Sequence, residues 1–440
     1  MSPPSLFRLK ASLQQYDWGK QGKDSLVAQL APNAVGPSFS LDNDASYAEV
    51  WMGTHPNGPT SIFSTPNTSL LDTITSDPNH FLGAAILAKW PSSPAQVPFL
   101  FKVLSIAKAL PLQAHPDKAL AERLHAQDAK EFVDANHKPE IAVAIGEPLT
   151  SDGGWGEGVA FTGFVGFRPF DAIRNALRGV PELVQAVGND DAVNAFLQDP
   201  SKESLKAIFS SLIERGAMDP AVIKEQVRAL VEKIKSKGGD VLGEEQLARV
   251  VLKVDSQYPG DVGVFATTFF MNLVKLKKGE AVYIGADEIH AYLEGDIIEC
   301  MAVSDNVLNA AFTNQAEAQS QVPTFLSMLT YTARPASHWT LSHGPYQRSK
   351  NHLTQVYAPP LEEFVVMGTN LGDGRATEVL GQVDGPTIGI VRSGSVKVTV
   401  NSESLELESG GVFYVVPGCA VTVEKTSGGK AQVWWAACAV

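Results

Sequence analysis

The sequence predicts a mostly β protein that carries an α-helical insertion. Runs rich in β-branched and aromatic residues, such as 98–106 and 387–401, are typical of strands. Between about 170 and 255, apolar residues instead recur at three- and four-residue spacing, which indicates amphipathic helices. Ser201 and Asp219 precede two of these helical stretches and can cap their first turns. We therefore predict a helical domain at 170–260 with β structure on both sides.

Two similar segments indicate that the β structure forms two barrels. GEAVYIGADEIH begins at Gly279, and GVFYVVPGCAVT begins at Gly411. Both resemble the second half-motif of cupins, a metal-bearing hairpin in which a Pro or Gly lies six residues after the first Gly and a His eleven residues after it. The first segment ends in His290, but the second ends in Thr422. We expect two cupin-like jelly-roll domains, of which only the first binds metal. The predicted domains are a catalytic cupin domain in two parts (1–169 and 261–335), the helical insertion domain (170–260) and a C-terminal jelly-roll domain without metal ligands (336–440).

Composition excludes several classes of function. The 440 residues carry a formal net charge of −13 and show no basic stripe, so we expect no nucleic-acid partner. The N-terminal region has no apolar stretch long enough for a signal peptide, and no later segment approaches a membrane span, so we expect a cytoplasmic protein without a membrane partner. Cys300, Cys419 and Cys438 are odd in number and widely spaced, which favours buried free thiols over disulfides or a thiolate metal site.

A metal site is predicted where two imidazoles, a carboxylate and an amide converge. Gln113 and His115 follow the strand 98–106 and lie two residues apart, so on extended backbone their side chains point to one face. Glu140 supplies a carboxylate, and His290 ends the first hairpin segment. This donor set suits Zn²⁺, and the absence of a thiolate favours a catalytic site with an open position. We expect one zinc ion per chain.

Several motifs resemble those of type I phosphomannose isomerases, and they run in family order over nearly the whole chain. The motifs are YDWGK (16–20), YAEVWMGTHP (47–56), PFLFKVLSI (98–106), QAHPDK (113–118), NHKPE (136–140), GFRP (166–169) and HAYLEGDIIECMAVSDN (290–306). The resemblance implies zinc-dependent interconversion of mannose 6-phosphate and fructose 6-phosphate through a cis-enediol, feeding GDP-mannose synthesis. It also implies that the four residues above are the zinc ligands.

The resemblance further implies which residues line the substrate pocket. Glu299 and Asp305 are the alternatives for the carboxylate that transfers the proton. Lys102 and Lys138 would hold the anionic substrate. The implied catalytic residues are His55, Lys138, Tyr292, Glu299, Asp305 and Asn309, and the implied substrate-binding residues are Lys102, Lys138, Asn309 and Gln315.

The chain departs from the family pattern inside this pocket. Asn309 stands where the family has Arg, Gln315 where it has Lys, and Pro111 where it has Ser. Losing two charge-assisted hydrogen bonds, each contributing roughly 1.5 to 3 kcal/mol, could weaken phosphate binding by about 100-fold.

Three hypotheses follow from these observations. The chain is an active mannose 6-phosphate isomerase, a diverged paralogue acting on another sugar, or a zinc-containing sugar-binding or regulatory protein without catalysis. Under the first, the partner is a small sugar phosphate, and we expect the chain to act as a monomer.

Overall fold

The structure is a computed structural model, and it describes residues 3–91, 95–149, 155–373, 376–426 and 428–438. In these ranges no helix combines the length and apolar character that crossing a membrane requires. The strands before the helical insertion are β1 (Leu6–Lys10), β2 (Ser12–Gln14), β3 (Lys20–Gln21), β4 (Ser46–Tyr47), β5 (Glu49–Met52), β6 (Ser61–Ile62), β7 (Thr65–Ser69), β8 (Phe99–Ile106), β9 (Leu112–Ala114), β10 (Glu140–Ala144) and β11 (Val159–Phe167). The helices among them are α1 (Leu26–Ala34), α2 (Leu70–Ser76), α3 (Pro78–Phe81), α4 (Ala84–Lys89) and α5 (Lys118–Gln127).

The predicted helical insertion is present as a bundle with its own apolar core. Its elements are α6 (Phe170–Gly179), α7 (Pro181–Val187), α8 (Asp190–Gln198), α9 (Lys202–Met218), α10 (Pro220–Lys237), α11 (Glu245–Gln257), α12 (Gly263–Phe265) and a π-helical turn (Ala266–Phe270). Ser201 caps α9 in a capping box, and Pro220 occupies the first turn of α10. The helical segment therefore continues ten residues past the boundary predicted at 260.

The chain then returns to β structure and completes both barrels. The catalytic part adds β12 (Met271–Lys277), β13 (Ala281–Ile284), β14 (His290–Ala302), β15 (Leu308–Ala311) and the helix α13 (Gln315–Met328). The C-terminal part contains β16 (Thr340–Leu341), β17 (His343–Pro345), β18 (Thr354–Tyr357), β19 (Val365–Leu371), β20 (Thr377–Leu380), β21 (Thr387–Ser393), β22 (Ser395–Val400), β23 (Glu403–Glu408), β24 (Val412–Val415), β25 (Val421–Lys425) and β26 (Ala431–Ala437).

The C-terminal jelly roll packs two sheets, in the orders β17-β18-β19-β26-β21-β24-β1-β6-β7 and β20-β25-β22-β23. Its larger sheet includes β1, which pairs antiparallel with β24 from Leu6 opposite Val415 to Leu9 opposite Val412. In turn β16, from the predicted C-terminal domain, pairs with β13 in the catalytic sheet. Strands thus cross between the predicted catalytic and C-terminal domains in both directions: β1 lies within the C-terminal sheet, and β16 pairs at the edge of the catalytic sheet.

The catalytic sheet is organised around the long, fully buried strand β14. Its second half lies between β8 and β10, and its first half pairs with β11 and touches β9 at His290. Gly295, between the two halves, has φ of 126°, and a Cβ there would lie 2.5 Å from the carbonyl oxygen of Ala160. Only glycine fits this bend. The bend allows one strand to present His290 at one end of the site and Glu299 at the other.

The cysteines are free thiols in the structure. Cys300 and Cys438 are buried, as predicted, whereas Cys419 is partly exposed.

Candidate metal centre and active site

Three neighbouring strand ends bring the predicted metal ligands together. Gln113 on β9 lies opposite His290 on β14 and opposite Asn309 on β15. Residues directly opposite each other in antiparallel strands project to the same face. His115 follows β9 by one residue, and Glu140 opens β10. The side-chain donor atoms of His115, Glu140 and His290 all lie within 4.8 Å of one another.

The geometry of this cluster fits a divalent metal ion. His115 Nε2 lies 3.2 Å from one Glu140 carboxylate oxygen, and His290 Nε2 lies 3.7 Å from the other. Both Nε2 atoms are buried and have no hydrogen-bond partner. Leaving buried polar atoms unpaired costs about 1 to 3 kcal/mol each, so their presence in a native core calls for a ligand.

The second ring nitrogen of each histidine is fixed by a backbone carbonyl. His115 Nδ1 lies 2.8 Å from the Asn306 carbonyl oxygen, and His290 Nδ1 lies 3.0 Å from that of Glu288. A carbonyl only accepts, so Nδ1 carries the proton and Nε2 presents its lone pair to the cluster. Burial lowers the pKa of both imidazoles, that of His290 to about 4, which keeps them neutral as metal binding requires.

A buried ion pair lies beside the cluster on β8 and β14. Lys102 Nζ donates to Glu299 at 2.9 Å and lies 3.6 Å from Glu49. Burial raises the pKa of Glu299, with Glu140 and Glu49 adding to the effect and Lys102 opposing it. Burial alone would lower the pKa of Lys102, but the carboxylates outweigh it and raise that pKa. Lys102 therefore stays protonated, and Glu299 is the carboxylate whose proton affinity the site increases.

Tyr292 and Lys138 both contact the Glu140 carboxylate. The Tyr292 hydroxyl donates to Glu140 at 3.4 Å, and Lys138 Nζ lies 3.8 Å from the other oxygen. Burial and the Glu140 charge raise the pKa of Tyr292 well above its ordinary value, so its hydroxyl remains a donor.

His55 and Asp305 face each other at the mouth of the site. His55 Nε2 lies 3.1 Å from Asp305, and Asn57 donates to the second Asp305 oxygen at 3.0 Å. The His55 hydrogen bond holds the pKa of Asp305 below its ordinary value, so Asp305 stays ionised. Both residues line a cavity of about 720 Å³ that Lys118 also borders. This cavity is large enough for a sugar phosphate, but its lining includes none of His115, Glu140 and His290.

Asn309 lies on the metal-site face of β15, but its side chain is already engaged. Its amide nitrogen donates to Glu317 of α13 at 2.7 Å, and its amide oxygen is buried without a partner. A carboxylate therefore lies against the position at which the family resemblance implies a cation.

Gln315 is placed away from the metal cluster. Its side chain donates to the carbonyl oxygen of Ala217, at the end of α9, and lines a separate cavity of about 90 Å³. Among the contacts of the described residues, none joins it to His115, Glu140 or His290. Pro111 lies directly before β9 and offers neither a hydroxyl nor an amide hydrogen to the pocket.

Two residues important to the site were not predicted. Glu49, in the motif YAEVWMGTHP, is the second carboxylate against Lys102. Asn306 fixes His115 through its backbone carbonyl, and its own side chain is held by Asp134 and Asn136. The sequence offered one signal for Glu49, an acidic residue between apolar neighbours. It offered none for Asn306, because a contact through a backbone carbonyl does not depend on the side chain.

Comparison with known proteins agrees with this geometry. Residues 6–153 match the family model "Phosphomannose isomerase type I, catalytic domain", and residues 183–271 match "Phosphomannose isomerase type I, helical insertion domain". Mannose-6-phosphate isomerase of Saccharomyces cerevisiae is 39% identical over 433 residues, covering 95% of each chain. That of Candida albicans is 36% identical and covers 98% of each chain. This chain belongs to the type I phosphomannose isomerase family.

Solved structures of the family share the whole fold. The mannose 6-phosphate isomerase of Salmonella typhimurium, described as bound to its substrate and a zinc atom, superposes with a TM-score of 0.77 at 25% identity, covering 99% of this chain and 100% of that chain. A zinc-bound holo mannose 6-phosphate isomerase superposes with a TM-score of 0.78 at 25% identity and the same coverage. The family fold of a mostly β protein with a helical insertion is thus confirmed for this chain.

Proposed function

We propose that the chain is an aldose-ketose isomerase that interconverts mannose 6-phosphate and fructose 6-phosphate and so supplies a precursor for GDP-mannose synthesis. One Zn²⁺ ion would be held by Gln113, His115, Glu140 and His290. The observation that carries this proposal is the buried cluster in which two unpaired imidazole nitrogens face one carboxylate. Every residue of the proposed site comes from one chain, so we propose that a monomer is sufficient for activity.

The proposed roles follow from burial and charge. When bound, a divalent ion supplies Lewis-acid polarisation of the sugar carbonyl. Glu299 is the proposed proton carrier between C1 and C2, because its raised pKa lets it both accept and release a proton near neutral pH. Lys102, held beside it at 2.9 Å, stabilises the deprotonated form.

The remaining residues would orient the sugar. Asp305, ionised and paired with His55, can accept hydrogen bonds from sugar hydroxyls at the mouth of the site. Lys138, in contact with Glu140, is the proposed cation for the substrate anion. Tyr292 donates to Glu140 and fixes the orientation of this ligand.

A coupled assay with mannose 6-phosphate, run on metal-free and zinc-reconstituted samples, tests the proposal. We expect turnover that requires added zinc, with about one zinc ion per chain retained after dialysis. Background turnover at stoichiometric zinc would overturn the isomerase proposal and favour a non-catalytic zinc protein.

A second candidate, isomerisation of another, unphosphorylated sugar, is favoured by the contact of Asn309 with Glu317 at 2.7 Å. A carboxylate at this position disfavours a nearby phosphate dianion. Asn309→Arg would place a cation there and should lower KM for mannose 6-phosphate by about tenfold, the value of one charge-assisted hydrogen bond. Gln315→Lys is the matched control and should add little, because that side chain lies beside Ala217. Faster turnover of free mannose than of its phosphate by the unaltered protein would decide for the second candidate.

A further inference from the structure

The end of the helical insertion holds the segment that leads into β9. Gln257, the last residue of α11, accepts from the backbone N–H of Ala109 at 3.0 Å and donates to the carbonyl oxygen of Ala107 at 3.3 Å. The Tyr258 hydroxyl donates to the carbonyl oxygen of Ala109 at 2.7 Å. Lys108 Nζ lies over the Tyr258 ring, 4.2 Å from its centroid. Two side chains of the insertion thus fix the backbone three residues before Leu112, the first residue of β9.

The same region of the insertion holds the turn that follows β15. The Asp261 carboxylate accepts from the backbone N–H of Phe312, with both oxygens at 3.3 Å. Phe312 has φ of 58°, a left-handed conformation that is strained for a large side chain and persists only where its surroundings enforce it. Its ring stacks on Tyr258 with centroids 4.8 Å apart. Gly263 also packs against this ring, and a Cβ there would lie 2.2 Å from it.

These two contacts flank the strand pair that carries Gln113. β9 has three residues and pairs with β15 and with His290 of β14. So short a strand has few ladder hydrogen bonds of its own, and its position depends on how its ends are held. We infer that Gln257, Tyr258 and Asp261 are positioning residues that hold Gln113 in reach of the metal centre. This inference rests on the proposed function only for the role of Gln113 as a ligand.

The inference predicts an effect on metal affinity that does not depend on any sugar. The double variant Gln257→Ala with Tyr258→Phe removes three hydrogen bonds to the segment 107–109 and leaves the stacked ring in place. Residues that orient a ligand typically change metal affinity by 10- to 100-fold, so we expect the variant to bind Zn²⁺ at least about tenfold more weakly. The measurement is competition with a chelator on purified protein. Ser256→Ala is the matched control, since its exposed hydroxyl bonds only to Lys253 of its own helix.

A double-mutant cycle separates positioning from general destabilisation. In a Gln113→Ala background, the Gln257→Ala and Tyr258→Phe changes should no longer alter zinc affinity, because the ligand they position is absent. The unfolding midpoints of the metal-free proteins report any loss of stability separately. The inference would be overturned if the two changes weakened zinc binding equally in both backgrounds. It would also be overturned if zinc affinity were unchanged in the double variant or in Gln113→Ala. Because no substrate enters this test, failure to isomerise mannose 6-phosphate is distinguishable from failure of the inference.

Single variants at two positions keep the inference testable if the double variant does not fold. Tyr258→Phe removes one oxygen atom and no packing, and should give a smaller loss of zinc affinity in the same direction. Asp261→Asn keeps an oxygen that can accept from Phe312, so it should retain more zinc affinity than Asp261→Ala. Equal affinities for these two Asp261 variants would contradict a role for that contact.

Discussion

The buried histidines of the catalytic barrel and the buried carboxylate of the C-terminal barrel have opposite hydrogen-bonding environments. In the catalytic barrel, His115 and His290 are fully buried with unpaired Nε2 atoms beside a buried carboxylate. In the C-terminal barrel, the fully buried carboxylate of Glu378 accepts hydrogen bonds from Ser349 and Thr354 and from the backbone N–H groups of Asn351, Leu353 and Val379. A carboxylate surrounded by donors has a structural role, whereas converging groups without partners form a site that awaits a ligand.

The buried polar groups of the metal site lower the stability of the catalytic barrel, whereas Glu378 raises that of the C-terminal barrel. The unpaired imidazole nitrogens cost about 1 to 3 kcal/mol each when no ligand is bound, whereas Glu378 stabilises its barrel. The C-terminal barrel has an apolar core formed by residues such as Met367, Val398 and Trp435. We therefore expect ligand chemistry to respond to changes in the first barrel and folding stability to changes in the second.

The largest effect should come from removing a ligand in the catalytic barrel. His290→Ala takes away one of the two imidazoles, so we expect loss of bound zinc and a fall in turnover of more than about 100-fold. Metal analysis and the coupled assay on one sample measure both quantities. The exposed His338 provides the control, since His338→Ala should retain zinc and activity. Retained stoichiometric zinc in His290→Ala would remove His290 from the ligand set.

The next effect separates catalysis from metal binding within the same barrel. Glu299→Gln preserves shape but cannot carry the proton, so kcat should fall by about 10²- to 10⁴-fold while zinc content is unchanged. Glu378→Gln, the same chemical change in the other barrel, should leave kcat near that of the unaltered protein. An unchanged kcat in Glu299→Gln would assign this carboxylate to holding Lys102 alone.

A smaller effect is expected on stability from the C-terminal barrel. Glu378→Gln replaces one carboxylate oxygen, which accepts hydrogen bonds, with an NH₂ group, which only donates, although five donors surround the side chain. The variant should therefore have a free energy of unfolding about 1 to 3 kcal/mol lower in denaturant titrations. Burial opposes ionisation of Glu378, but the hydrogen bonds from Ser349 and the backbone outweigh it and lower its pKa below the ordinary 4.5.

The sign of the pH dependence follows from that lowered pKa. The carboxylate's contribution is fully present above pH 4.5 and is lost as the pH falls through the lower pKa of the folded state. The stability difference between the unaltered protein and Glu378→Gln should therefore shrink only in acid. A difference that stayed constant through this acid range would contradict the role of the ionised form.

Much of the architecture was predictable because it is encoded locally. Three- and four-residue periodicity predicted the helical insertion. Ser201 and Asp219 lie at the helix starts expected of them, but only the Ser201 side chain forms a capping hydrogen bond. The end of the insertion was missed because residues 262–270 are almost continuously apolar and fully buried, so their periodicity does not separate helix from strand. The pairing of β1 with β24 was missed because a short strand does not specify a partner some 400 residues away.

The metal cluster was more predictable than its surroundings. Strand alternation predicted that Gln113 and His115 share a face, hairpin spacing marked His290, and the motif NHKPE supplied Glu140. The structure brings His115, Glu140 and His290 together. Gln315 lies elsewhere because the strained turn at Phe312 directs the start of α13 toward α9. The spacing of residues along the sequence does not predict this change of direction. Its proposed substrate role, like those of the other pocket residues, stays a prediction.

The smallest effect should come from giving the second barrel the histidine that its hairpin lacks. Thr422 lies eleven residues after Gly411, as His290 does after Gly279. On β25, however, Val421 and Val423 are buried and Thr422 between them is partly exposed, so a side chain at 422 faces away from the core. Thr422→His should add no zinc and change the free energy of unfolding by less than about 0.5 kcal/mol. A second zinc ion per chain in this variant would show that hairpin spacing alone creates a site. We expect none, because the phase of β25 turns position 422 away from the core, whereas His290 is buried.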